Sequence, residues 1–460
     1  MTGWKKGDGV WTAQAPDGLR FNQLFIDGKR RVRARTPNAG EFYRVDGALT
    51  EDKPTKLKFK EGDLKADWAE RGDVEVIALQ KWAEIRMPIT ALNAAARVAT
   101  LSGDCPKWII EDQARYWLEN ALELVDAPGE WFLDRKSGVI TYKPRAGEDP
   151  DKIGAIVPAM DHLVRIEGAR NLRVQGIAFS HADWSIGPKG YSDSQAAIDY
   201  RGAVRAQGAV GCSFENCIVS HVGGYSIDFS KGCRENRIDR CEVTDIGAGG
   251  IRIGETAIRK DDADKTLGNI VTDNPIHDIG LVFPAGVAVW VGHSAKNLLA
   301  HNHIHDTCYS AFSIGWSWGY GPSGAQENVI EQNLVHDIGR NMLADMGGVY
   351  TLGTCTGTVI WNNVFHDIWS STYGGWAIYF DEGSTGVVAE NNLAYRCKSN
   401  GFHQHYGREN TLSSTGPRAS CTPATGTATG SAGRRTCSGI PPARKGCRRS
   451  GRSRGWTRSR

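Results

Sequence analysis

A repeat of about 30 residues is the feature that most constrains what this 460-residue chain can fold into. Six segments between residues 212 and 367 follow a pattern close to N-x-V/I-x-x-N-x-apolar-H-D: CSFENCIVSH, NRIDRCEVTD, NIVTDNPIHD, NLLAHNHIHD, NVIEQNLVHD and TVIWNNVFHD. NLRVQGIAFSH precedes this series and GVVAENNLAYR follows it. Short β-branched runs that recur at this period between glycine-rich turns are typical of the coils of a parallel β-helix.

The sixth position of the repeat predicts an internal ladder. In chain order it is occupied by Gly176, Cys217, Cys241, Asn274, Asn302, Asn333, Asn363 and Asn391. Because stacked coils lie about 4.8 Å apart, the amides of the four asparagines from 274 to 363 can hydrogen-bond to one another. A second column contains His277, His305, His336 and His366. We expect this column to be structural, with each imidazole bonding the next and no metal ion.

The chain divides into three segments. We predict a β-rich domain over residues 1–155, the β-helix over residues 156–410 and a tail over residues 411–460. In the first segment, Asp27-Gly28 joins two extended runs and two further strands flank residues 134–138, which predicts two hairpins. Residues 117–124 have the apolar spacing of a helix.

The tail is rich in Arg, Ser, Gly and Thr and contains no acidic residue. It cannot bury enough apolar surface to order itself, so we predict disorder. A frameshift, a genuine basic tail and a nucleic-acid-binding segment are three alternative explanations of it. Its ten Arg and one Lys give the tail a charge of +11, whereas the whole chain has a net charge of +3. Residues 1–410 therefore carry a net charge of −8. This negative charge argues against a nucleic-acid partner for residues 1–410.

Composition sets further limits on the function classes. No run of 18 apolar residues occurs, and no apolar segment follows the basic N-terminus, so neither a membrane span nor a signal peptide is predicted. Eleven cysteines include no CxxC pair. We expect Cys212, Cys217, Cys233 and Cys241 to be buried free thiols, with zinc binding or disulfides as alternatives. The chain is expected to be a monomer that requires no metal ion or cofactor.

Residues 345–406 carry the strongest chemical signal. DMGGVYTLGT, YGGWAIYFDEGSTG and GFHQHYG occupy corresponding places in three successive coils, which predicts that their polar side chains converge on one outer face. The candidate catalytic residues are Asp345, Asp381 and Glu382, because cleavage of a glycosidic bond needs one carboxyl to donate a proton and another to attack or to activate water. The structural alternative is that the aspartates cap tight turns and have no catalytic role. Candidate sugar-binding residues on the same face are His403, His405, Trp316, Trp318, Tyr350 and Trp376.

These motifs, in this order, resemble bacterial right-handed parallel β-helix proteins of glycoside hydrolase family 141. Residues 1–150, with FNQLFIDGKRRVRARTPN and the stretch around EWFLDRKSGVITY, resemble the insertion domain that interrupts that β-helix. The resemblance implies an α-L-fucosidase- or xylanase-like enzyme acting on plant-type carbohydrate, with Asp345 and Asp381 as catalytic residues. It also implies a secreted or periplasmic location and a fragment that lacks both ends of the family's chain.

Two other functions stay open at this point. A polysaccharide lyase can be built on the same architecture, although only the acidic residues that such an enzyme needs are visible. A non-catalytic carbohydrate-binding β-helix, of the adhesin or tailspike kind, is the second alternative. Retaining or inverting stereochemistry and the identity of the acid are also undetermined by the sequence.

Overall fold

The repeat folds into a parallel β-helix of three sheets in the computed structural model, which describes residues 1–47, 55–105 and 110–413. Sheet A contains Val164–Glu167, Gly202–Gln207, Tyr225–Phe229, Ile251–Ile253, Val289–Val291, Phe312–Gly315, Gly347–Leu352, Trp376–Phe380 and Phe402–Gln404. Sheet B contains Arg173–Gln175, Ser213–Glu215, Arg237–Asp239, Ile270–Thr272, Leu298–Ala300, Val329–Glu331, Val359–Trp361, Val388–Glu390 and Thr411–Ser413. Sheet C contains Ala178–Ser180, Ile218–Val222, Glu242–Ile246, Pro275–Ile279, His303–Thr307, Leu334–Ile338, Val364–Ile368 and Leu393–Cys397.

The predicted asparagine ladder is present and is longer than expected. The side-chain amides of Asn274, Asn302 and Asn333 each donate to the next asparagine of the column at 2.9 to 3.0 Å. Asn363 continues the ladder to Asn392 at 2.9 Å, so the assignment of Asn391 was wrong by one residue. Asn391 instead occupies the turn with a φ of 54°, which points its side chain away from the core.

A second asparagine ladder, which the sequence analysis did not predict, runs along the first position of the repeat. Asn236, Asn269, Asn297 and Asn328 are joined by amide hydrogen bonds of 2.9, 3.4 and 2.8 Å. In the first ladder, Cys241 and Cys217 replace asparagine, and both carry buried free thiols. The Cys241 backbone N–H still donates to Asn274 at 2.7 Å.

The histidine column is present, but the predicted bonds between its imidazoles are wrong. Successive rings of His277, His305, His336 and His366 lie 4.8, 5.2 and 4.8 Å apart and within 3° of parallel. Ring nitrogens lie in the ring plane, so parallel stacked rings cannot point them at each other. Each Nδ1 instead hydrogen-bonds to the aspartate that follows it in the chain, at 2.6 to 2.9 Å. In the described part of the chain, no three His, Cys, Asp or Glu side chains are grouped to hold a metal ion.

The N-terminal domain is built from two antiparallel-rich sheets and a short hairpin. One sheet contains Lys5–Lys6, Trp11–Gln14, Val139–Tyr142, Glu130–Leu133 and Val32–Arg33. The second contains Arg35–Thr36, Arg115–Glu119, Glu75–Gln80, Ala83–Asn93, Val98–Leu101 and Lys56–Lys58, with Tyr43–Arg44 and Tyr191–Ser192 at its margins. Phe25–Ile26 pairs with Lys29–Arg30 and Ala155–Ile156, and Thr266–Leu267 pairs with Ser294–Ala295 farther along. Short helical turns are Trp68–Arg71, Leu122–Leu124 and Asp262–Asp264.

Both predicted hairpins are confirmed, and the predicted helix at 117–124 is wrong. Asp27 and Gly28 adopt φ angles of 49° and 69°, as a tight two-residue hairpin turn requires. Residues 115–119 form a strand whose last four residues are buried, because one face packs in the domain and the other on the β-helix. A strand buried on both faces loses its two-residue alternation and is easily mistaken for a helix.

The described part of the chain ends in sheet B. Thr411–Ser413 form the last strand of sheet B, so the coil continues three residues beyond the predicted boundary at 410. The remainder of the predicted tail lies outside the described residues. No helix among the described residues is long and apolar enough to span a membrane.

The middle of sheet A is buried on both of its faces, and this positions the site. A column of outward side chains, from Asp228 through Trp290 to Tyr379, is at most 6% exposed. A segment of the chain between sheets C and A, residues 182–200, lies across this column, and the Ile198 carbonyl accepts a hydrogen bond from Arg252 at 3.1 Å. The N-terminal domain packs on the same side, where Arg86 donates to the Val282 carbonyl at 3.1 Å.

Candidate active site

Three consecutive coils bring a group of polar side chains together at one end of sheet A. Tyr350, Tyr379 and His403 are in register on neighbouring strands. Asp381 directly follows the strand that contains Tyr379, and His405 directly follows the strand that contains His403. Asp345 enters from the other side, two residues before the strand that begins at Gly347.

The Tyr379 hydroxyl joins the two aspartates. Its oxygen lies 2.8 Å from Asp345 Oδ1 and 3.0 Å from Asp381 Oδ1. These two contacts keep the carboxylate oxygens within about 6 Å of each other, in the range where paired carboxyls act on one glycosidic bond. A phenol has one proton, so it can donate fully to only one carboxylate at a time. The Tyr379 hydroxyl therefore links the two carboxyls while donating its proton to one of them at a time.

Asp381 has more hydrogen-bond partners than Asp345. It is 8% exposed, and Tyr350 donates to its Oδ2 at 2.5 Å. His405 Nδ1 lies 2.8 Å from its Oδ1. With Tyr379 this makes three groups that fix the orientation of the Asp381 carboxylate, and Gln195 in turn donates to the Tyr350 hydroxyl at 2.8 Å.

Asp345 has the raised pKa of an acid that stays protonated in mildly acidic solution. Burial, and secondly the negative charge of Asp381, raise the pKa of Asp345 from 3.8 to about 6. The Tyr379 hydrogen bond and the charges of His405 and Lys81 oppose that rise. Asp345 has a φ of 56°, and Gly374 makes this turn possible, because a Cβ there would lie 2.7 Å from the Asp345 nitrogen.

The other predicted residues fall into two groups. His403 stacks on Trp376 at 4.2 Å and 11°, and its Nε2 contacts the Tyr373 hydroxyl at 3.0 Å. Burial lowers the pKa of His403, which favours the neutral ring. Trp376 is buried, so it supports His403, whereas the Tyr373 side chain beside it is 49% exposed.

Glu382 and the two tryptophans of GWSWGYGP follow the C-terminal ends of their sheet A strands, Trp376–Phe380 and Phe312–Gly315. Among the described residues the Glu382 carboxylate has no hydrogen-bond or ion-pair partner, and it does not join the bridged pair. Trp316 is buried edge-on against Trp290 at 5.4 Å. Trp318 packs on Trp316 and is 51% exposed, so its ring is accessible to a ligand.

Tyr379 and Gln195 belong to the site but were not predicted from the sequence. Tyr379 could have been found by the column argument used for the asparagines, because it is in register with Tyr350. Gln195 had no such signal, since it lies in the non-repeating segment 182–200.

A cavity elsewhere on the β-helix is a weaker candidate. It has a volume of about 230 Å³ and is lined by Trp184, Tyr191, Tyr200, Arg201 and Arg205, among others. Both arginines are already paired with aspartates, Arg201 with Asp228 and Arg205 with Asp161. Asp161, Asp183 and Asp199 also line the cavity, but among the described residues no hydroxyl joins two of these carboxyls as Tyr379 joins Asp345 and Asp381.

Comparisons with known proteins agree with this architecture. The sequence model of the GH141 insertion domain matches residues 8–145, and that of the right-handed β-helix region matches residues 202–370. A solved structure described as a glycoside hydrolase superposes with a TM-score of 0.77 at 21% identity, covering 90% of this chain and 80% of that chain. The complex of XylC with xylose superposes with a TM-score of 0.46 at 10% identity, covering 86% of this chain and 57% of that chain. No curated protein matches. The chain is therefore a GH141-like right-handed parallel β-helix protein that carries the GH141 insertion domain.

Proposed function

We propose that this protein is a glycoside hydrolase in which Asp345 is the general acid and Asp381 the nucleophile. The observation that carries the proposal is the Tyr379 hydroxyl within hydrogen-bond distance of both carboxyls. A turn-capping role explains one aspartate at a time. It does not explain why a buried tyrosine should join two aspartates from different coils.

The different surroundings of the two aspartates assign the roles. Asp345, whose pKa is raised to about 6, is the group that holds a proton to give to the leaving oxygen. Asp381 is oriented by Tyr350, Tyr379 and His405, which suits a carboxylate that must attack one carbon atom. The short separation favours a retaining reaction, because inverting enzymes keep the carboxyls roughly 6.5–9.5 Å apart to admit a water molecule.

The steps follow from these roles. Asp345 donates its proton to the glycosidic oxygen as the bond to the anomeric carbon breaks, and Asp381 forms an ester with that carbon. Asp345, now a carboxylate, removes a proton from a water molecule that attacks the same carbon. The ester breaks, the sugar leaves with retained configuration, and both side chains return to their starting states.

The substrate class rests on the insertion domain and on the accessible aromatic rings. We propose an α-L-fucosidase- or xylanase-like specificity for plant-type carbohydrate, as the family resemblance implies. Trp318 and Tyr373 are 51% and 49% exposed, so sugar rings can stack on their aromatic rings. Enzymes that act on polysaccharides work where the polymer is, so a secreted or periplasmic location is part of the proposal.

The test is a panel of aryl glycosides, including α-L-fucoside and β-D-xyloside, together with xylan. We expect hydrolysis that is lost in Asp345→Asn and Asp381→Asn, with the product's initial anomeric configuration retained in NMR spectra. Asp367→Asn is the matched control, because Asp367 has nearly the same φ, 54°, but bonds to His366 and Arg396 on the surface. Full activity in both site variants refutes the assignment. Unsaturated products indicate a lyase, and sugar binding without turnover indicates a binding protein.

A further inference from the structure

One hairpin of the N-terminal domain reaches the candidate site. Strands Glu75–Gln80 and Ala83–Asn93 pair with Gln80 opposite Ala83, so Lys81 and Trp82 form a two-residue turn, called the tip below. The tip leaves its own sheet and contacts two separate segments of the β-helix.

The first contact fixes the backbone beside Asp345. The Lys81 carbonyl accepts a hydrogen bond from the Ala344 nitrogen at 2.5 Å, and Asp345 is the next residue. A second residue of the same domain, Arg115, donates to the Asn341 carbonyl at 2.9 Å in the same loop. The segment that carries the proposed acid is thus held from the N-terminal domain at two points.

The second contact fixes the segment beside Gln195. The Trp82 carbonyl accepts from the Ala196 nitrogen at 2.8 Å, and the Trp82 indole donates to the Ser194 carbonyl at 3.0 Å. These bonds clamp the residues on both sides of Gln195. Gln195 then donates to the Tyr350 hydroxyl, which donates to Asp381.

We propose that the Lys81–Trp82 tip is a positioning element of the catalytic centre, which sets the geometry of both aspartates from a separate domain. The proposal rests on the proposed function only for its kinetic consequences. The tip acts on Asp345 through one peptide bond and on Asp381 through Gln195 and Tyr350. Lys81 and Trp82 are positioning residues, since neither is placed in contact with a reacting atom.

The tip also has an electrostatic effect on the acid. The Lys81 ammonium group is half-exposed, and its positive charge favours the ionised form of Asp345. Its partner on the domain is Glu111, at 3.8 Å. The charged groups that face Asp345 are Asp381 and His405 from the β-helix and Lys81 from the tip. Removing the Lys81 ammonium group takes away one of the positive charges that stabilise ionised Asp345, so the pKa of Asp345 should rise.

A measurement without turnover tests the electrostatic part. The gain in stability from Asp345→Asn grows from pH 3.8 up to the folded-state pKa of Asp345 and is constant above it. The pH at which the gain levels off, called the Asp345 midpoint below, therefore reports the folded-state pKa of Asp345 in any background. We expect Lys81→Met to move that midpoint upward by a few tenths of a pH unit. An unchanged midpoint overturns this part of the proposal, whether or not a substrate has been found.

Kinetic coupling tests the positioning part. Trp82→Phe and Gln195→Leu are each expected to lower kcat about tenfold with little change in KM, because substrate contacts remain while the Asp381 geometry loosens. The double variant should be no slower than the slower single variant, because both changes break the same chain of contacts. Multiplied effects, or losses confined to KM, overturn the proposal.

Trp68→Phe is the matched control within the same domain. It also removes an indole hydrogen bond, to Glu123 at 2.6 Å, but at a distance from the tip. We expect it to leave kcat and the Asp345 midpoint unchanged. A kcat loss equal to that of Trp82→Phe means that the domain acts only through its stability. If the wild type turns over no substrate, the proposed function fails. The measurement of the Asp345 midpoint in Lys81→Met then still tests the electrostatic effect of the tip.

Discussion

Replacing Asp345 by Asn should stabilise the protein at neutral pH, even though it removes a proposed catalytic group. The folded state raises the pKa of Asp345 from 3.8 to about 6, so folding opposes ionisation of this carboxyl. Asn cannot ionise, it fits a backbone with positive φ, and its Oδ1 can still accept from Tyr379.

The magnitude follows from the size of the pKa change. One pKa unit corresponds to about 1.4 kcal/mol, so ionised Asp345 costs the folded state about 3 kcal/mol. The sign depends on pH in a defined way. Well below pH 3.8 both states are protonated and the variant gains nothing; between 3.8 and about 6 the unfolded chain ionises first and the gain grows; above about 6 it is constant.

The assay is denaturant unfolding of the full chain and of Asp345→Asn at a series of pH values from about 4 to about 8. The control, Asp367→Asn, should show the opposite trend. Hydrogen bonds from Arg396 and His366 lower the pKa of Asp367, so its loss costs stability at neutral pH, and this cost disappears as the pH falls. A difference between wild type and Asp345→Asn that does not grow with pH refutes the assigned environment of Asp345 and, with it, its role as the acid.

Three further predictions test the site and the β-helix. Tyr379→Phe should raise the pKa of Asp345, and this rise should appear as an upward shift of the alkaline limb of the pH–rate profile. The same change should slow turnover by about 10- to 100-fold, as expected for loss of a hydrogen bond to a charged group. Asn302→Ala should lower the free energy of unfolding by more than about 3 kcal/mol, because four buried hydrogen bonds lose a partner, whereas the exposed Asn400→Ala should change it by less than about 0.5 kcal/mol. Burial and neighbouring imidazoles lower the pKa of His303, so folding favours the neutral ring and stability falls as the pH drops below 6.5; His303→Ala should lose less stability on acidification in the same unfolding assay.

The sequence repeat predicted correctly which residues stack in a column of the β-helix. It predicted less well which hydrogen bonds those side chains form. Asn302 and His305 lie in the columns that the period assigned to them, because a parallel β-helix stacks equivalent positions. The bonding of His305 was wrong, because its ring orientation depends on Asp306, which the column argument did not consider. The shift from Asn391 to Asn392 shows that two adjacent asparagines cannot be distinguished without knowing which one occupies the turn.

The sequence by itself determined the β-helix, the convergence of Asp345, Asp381 and His405 on one face, and the separate N-terminal domain. All three follow from local turn signals and from a period, and a period is readable along the chain because each coil repeats the same local geometry. Only the tertiary structure decided that Tyr379 joins the two aspartates and that Gln195 and the Lys81–Trp82 tip support them. The tip and Gln195 lie outside the repeat and more than 100 residues from the aspartates. No local pattern records such contacts, because they arise only when the domain packs against sheet A.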